Sequence, residues 1–102
     1  MITIIPIRND NQTLLGFSVT GHANSGRHGQ DIVCAAVSVL AHTAVFGLER
    51  QLERAISLEI AEGKMVFELM EPPDTLTDAI LGTILLGFEE IAKNYHKFVR
   101  IL

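Results

Sequence analysis

The sequence contains a single cysteine in 102 residues. A lone thiol cannot close an internal disulfide or furnish a zinc site built from several cysteines. That usage fits a reducing, cytoplasmic setting. Basic residues are also scarce, with 8 Lys+Arg against 12 Asp+Glu and a formal net charge of −4. Affinity for phosphate backbones needs clustered Lys and Arg, so direct nucleic-acid binding is not expected. The acidic balance suits a basic partner, weakly, through steering. No apolar run reaches the ~20 residues of a membrane span. The longest, Ile32 to Leu48, is interrupted by Ser38, His42, Thr43 and Gly47 and reads as a buried helix. Met1 to Ile7 is apolar but lacks a basic leader, so neither a signal peptide nor membrane association is expected. Repeats, linkers and low-complexity tracts are not evident. What remains is 48% hydrophobic and 20% charged, ordinary for a globular chain, and residues 1–102 suit one domain.

Period-two patterning predicts strands at 1–7 and 13–20. The polar run Arg8 to Gln12 is the turn of a hairpin between them. In the second strand Leu15, Phe17 and Val19 alternate with Gly16, Ser18 and Thr20. Residues 21–31 lose all periodicity and read as a mobile loop. A long helix is expected from about Ile32 to Arg54. Its apolar residues lie most of the way round, so a sheet, a second helix and a second subunit are candidates to cover it. Strands 56–60 and 65–69 form a second hairpin around Glu62-Gly63. After Pro72-Pro73, Asp74 or Thr75 caps a helix to about Tyr95, with Asp78 completing a capping box if Thr75 is the cap. The expected fold class is α+β. It is a two-layer sandwich in the order strand-strand-helix-strand-strand-helix, with an antiparallel or mixed four-stranded sheet. Phe98 to Leu102 offer a short extra strand.

The informative segment runs from Gly21 to Ser38. It puts Cys34 near the start of the long helix and His22 just past a strand. A helix N-terminus favours the thiolate, which is the nucleophilic form, and a neighbouring imidazolium favours it further. The bland reading is that Cys34 is a small hydrophobe packed beside Val33 and Ala35. His22 shifts that balance, because a Cys–His pair is the minimum for thiol catalysis. Gly21 permits an unusual turn that presents His22. His28 is the second candidate base. His42 is set aside as a base, since eight helical residues place it about 12 Å from Cys34. Asp31 reads either as the helix cap or as an orienting partner for His22. Gly21, Gly26 and Gly29 read as loop punctuation or as parts of a substrate lid. Nucleotide-binding patterns are absent from the sequence. His22, His28, Asp31 and Cys34 match no common zinc spacing, so neither a metal nor a cofactor is expected.

Gly21-His22-Ala23, a glycine-bearing spacer, and Asp31-Ile32-Val33-Cys34-Ala35-Ala36-Val37-Ser38 resemble the signature of the bacterial ribosomal-processing cysteine proteases, the Prp family. The resemblance implies a homodimeric cytoplasmic endopeptidase. Its substrate would be the N-terminal extension of a large-subunit ribosomal protein, removed during ribosome assembly. Cys34 would be the nucleophile and His22 the base, with Asp31 in a supporting role. The alternative is a non-enzymatic ribosome-associated binding module in which Cys34 is packing.

Overall fold

The computed structural model describes residues 1–21 and 28–102, with the backbone alone for 28–31. The elements are β1 (Ile2–Arg8), β2 (Leu14–Thr20), α1 (His28–Phe46), a π-helical extension (Gly47–Gln51), β3 (Ile56–Ala61), β4 (Lys64–Leu69), α2 (Thr75–Asn94) and β5 (Val99–Ile101). The sheet order is β3-β4-β2-β1-β5. The fold is α+β as expected, and the short last strand is present. It pairs parallel to β1, while the other neighbours are antiparallel, so the sheet is mixed. Residue 2 donates its backbone N–H to the Phe98 carbonyl, and residue 102 donates to the Ile4 carbonyl.

The first hairpin is fixed by its turn chemistry. Asn9 Oδ1 accepts from the backbone N–H of Asn11 at 2.9 Å and of Thr13 at 3.0 Å. Gln12 takes a positive φ of 66°. The register then slips between Ile7 and Arg8. An extra residue in β2 turns Leu14 into the core alongside Phe17, leaving Leu15 and Val19 partly buried. The second hairpin turns at Glu62-Gly63, with Gly63 at φ 68°. The backbone N–H of Gly21, itself at φ 93°, donates to the Gly63 carbonyl at 2.9 Å. That bond ties the end of β2 to the tip of the β3–β4 hairpin.

Both helices cover one face of the sheet. Val33, Val37, Ala41, Ala44, Val45 and Leu48 point from α1 and its extension into the core. Leu81, Ile84 and Phe88 do so from α2. Phe88 meets Phe17 edge-on, with ring centroids 5.0 Å apart at 82°. Residues 32–51 are long and apolar enough to cross a membrane by composition, but this face of the helix is spent on the core. The helix begins at His28, four residues before the expected start. First-turn residues have no intrahelical partners for their N–H groups and need no apolar periodicity, so polar residues there conceal the start. It stays α-helical to Phe46 rather than Arg54. The π-helical turn at Gly47–Gln51 ends it, and the chain leaves through Glu53 at φ 54°.

On α2, Asp74 rather than Thr75 is the cap. Its carboxylate accepts from the backbone N–H of Leu76 and Thr77, and the Thr77 hydroxyl completes the capping box. Asp78 is therefore not part of the box. The edge strand β3 also departs from its pattern. Leu58 and Ile60 sit opposite Phe67 and Met65, on the face that the helices cover elsewhere. They are nevertheless 44% and 59% exposed.

Candidate active site

Cys34 is the seventh residue of α1, in its second turn rather than its first. The preference of a helix terminus for an anion falls off within the first turn, so this contribution to the thiolate is weaker than the sequence suggests. The Cys34 N–H also falls beyond the first-turn groups that lack internal acceptors. Asp31 stands inside the first turn and not at the cap position, and Gly29 belongs to the same helical turn and not to a loop. The earlier start of the helix is the reason for all three corrections. His22 and Gly26 lie outside the described residues.

Cys34 is partly buried and packs beside the core with one side open. It lines a groove of about 250 Å³. One wall is α1, where Cys34, Ser38 and His42 recur at four-residue spacing and so share a face. The opposite wall is the tip of the β3–β4 hairpin, with Ile60, Gly63, Lys64 and Met65. Gly21 and Val19 close the end nearest the strand. The fold brings these residues together through the Gly21–Gly63 bond, which holds the hairpin tip beside the start of the 21–34 segment. A cysteine that serves only as packing is commonly fully buried. This one faces a groove whose lining is mainly apolar.

Two residues in the groove were not singled out for this role by the sequence. Ser38 lies within the signature but carries no evident role there, and His42 is excluded only as a base. The signal that finds them is the i, i+4, i+8 spacing from Cys34. His42 Nδ1 lies 2.8 Å from the Ser38 carbonyl oxygen and 3.4 Å from its hydroxyl. The hairpin wall left no sequence signal, since it is set by pairing across the sheet. Lys64 on that wall is ion-paired to Glu59 at 2.9 Å. Among the described residues no cluster of His, Cys, Asp and Glu is arranged to hold a metal ion.

A family model described as cysteine protease Prp matches residues 1–100. The chain belongs to the Prp family. It is accordingly a cysteine protease. The ribosomal processing cysteine protease Prp of Bacillus subtilis is 30% identical over 100 residues, covering 92% of this chain and 89% of that protein. A crystal structure from Streptococcus mutans is 33% identical with a TM-score of 0.84, covering 99% of this chain and 91% of the other. The essential Prp of Staphylococcus aureus, solved with a covalently linked product peptide, has a TM-score of 0.87 at 24% identity. It covers 99% of this chain and 97% of its own, and at that identity the likeness is one of fold.

Proposed function

We propose that this Prp-family protease removes the N-terminal extension of a large-subunit ribosomal protein in the cytoplasm, with Cys34 as nucleophile and His22 as base. The observation that carries the reading is the position of Cys34. The chain's one cysteine lines an open, mostly apolar groove in a Prp-family chain. The B. subtilis and S. aureus relatives carry ribosomal processing in their names. The −4 charge accords with a basic ribosomal substrate.

In this mechanism His22 takes the Cys34 proton and the thiolate attacks the scissile carbonyl carbon. The first-turn N–H groups of α1 are the donors this end of the helix offers to the oxyanion. His22 then protonates the leaving amine, and water hydrolyses the thioester. Asp31 orients His22. Gly21 and Gly26 are the conformationally permissive positions of the segment that meets the substrate, Gly29 being part of α1.

The protein acts as a homodimer in this reading. Ile32, Val39 and Phe46 repeat every seven residues on α1 and are 57%, 63% and 41% exposed. They form an apolar seam pointing away from the core. A seven-residue repeat is the spacing at which a second helix packs along the first.

The test is cleavage of the extended ribosomal protein, read by the mass of its N-terminus. Cys34→Ser and His22→Ala should each abolish it with the fold intact. Cleavage retained in Cys34→Ser would overturn the mechanism.

A further inference from the structure

We propose that His42 reads the substrate, accepting a hydrogen bond from an uncharged amide or hydroxyl side chain three or four residues from the scissile bond. The assignment rests on the protease reading above and adds a selectivity to the groove. A backbone carbonyl can only accept, so the 2.8 Å contact with Ser38 requires Nδ1 to carry the imidazole proton. In the neutral ring this leaves Nε2, on the outer edge, as an acceptor.

The ring is also held in place. Phe46 lies one turn further on, with centroids 6.2 Å apart, and the Arg50 guanidinium stacks over Phe46 at 4.2 Å. His42 is thus anchored at Nδ1 and braced along the helix, and it lines the same groove as Cys34. Among Val37, Ala41, Ile60 and Met65 the His42 ring sets a fixed polar group in a mainly apolar stretch of the groove. A side chain with an apolar stem and a donor at its tip fits that lining. A charged lysine tip would lose its hydration in this mainly apolar lining, and Lys64 on the opposite wall is already paired to Glu59.

The distance sets the position. Eight helical residues separate Cys34 and His42 by about 12 Å along the axis. An extended peptide advances about 3.3 Å per residue, so the side chain beside His42 is the third or fourth from the bond under attack.

The experiment uses fluorogenic peptides carrying the sequence of the extension around its cleavage site. Isosteric pairs, Thr against Val and Gln against Met, replace the third and fourth positions on either side of the bond, with Lys as a further arm. The wild-type protein should prefer Thr over Val and Gln over Met by about tenfold in kcat/KM at one of these positions. Lys should fall below both donors. His42→Phe should bring both ratios to about one, and His42→Gln, which restores an acceptor, should recover part of the preference. Thermal melts check that each variant is folded, with His42→Leu as the second apolar variant. Ratios near one in the wild type, ratios unchanged in His42→Phe or His42→Leu, or Lys cleaved as well as Gln would overturn the role of His42 alone. Failure of the wild-type protein to cleave the intact extended ribosomal protein would overturn the protease reading and the substrate groove with it.

Discussion

At the scale of single residues, the tightest constraint in the sheet is Gly16. It lies in β2 opposite Glu68, and a side chain there would be driven into the Phe67 carbonyl and the Glu68 backbone. Both obstacles are backbone, so neither can rotate away. Gly16→Ala should therefore destabilise the protein by about 1–3 kcal/mol, as overpacking does, read from the midpoint of urea unfolding. Gly82 gives the contrast, since nothing lies within 4 Å of the Cβ it lacks. Gly82→Ala, in the middle of α2, should stabilise by about 0.5–1 kcal/mol. Of the candidate site, the cysteine was legible at this scale. Cys34 was found from its spacing after His22 and Asp31, and the structure sets it on an open groove. The role of His42 was not legible, because the sequence counts its distance from Cys34 but not the shared helix face that makes that distance useful to a substrate.

At the scale of elements, α2 is held at its start by one carboxylate. Asp74 accepts from two backbone N–H groups and pairs with Arg54 Nη2 at 2.7 Å. The Thr77 N–H bond and then the Arg54 guanidinium hold its pKa below the ordinary 3.8. A carboxyl with a lowered native pKa stabilises the fold above its ordinary value, and loses that contribution as pH falls through the native one. Asp74→Ala should lower the melting temperature at pH 7, with the gap to the wild type closing as the pH drops below about 4. Measuring both proteins by circular dichroism from pH 7 to 2.5 checks this. The elements themselves were largely legible, since both hairpins and both helices follow apolar periodicity. The start of α1 was hidden by its polar first turn from His28 to Asp31, and its end by a π-helical turn that leaves no signature in composition. The alternation in β3 correctly gave a strand but not its exposure, which depends on where the helices stop.

At the scale of the whole molecule, the proposed dimer rests on the open seam of α1. Val39 is 63% exposed and plays no part in the core, so a charge there leaves the fold unharmed. In a dimer the same charge would be buried against its copy. Val39→Glu should sediment as a monomer with an unchanged circular dichroism spectrum, while the wild-type protein sediments as a dimer. A wild-type monomer would remove the proposed assembly.

The pairing of residues 2–4 with residues 99–101 has a consequence for biosynthesis. β1 is made long before its outer neighbour, so one side of β1 waits uncovered while the residues between them are made. Contacts of such sequence separation form late and slowly. The nascent chain can raise both hairpins and both helices, but it cannot seal the sheet until residue 101 has left the exit tunnel. Until then the flank of β1 is an open template for pairing with other chains. The sheet is therefore complete only once the three-residue strand β5 is free to pair with β1.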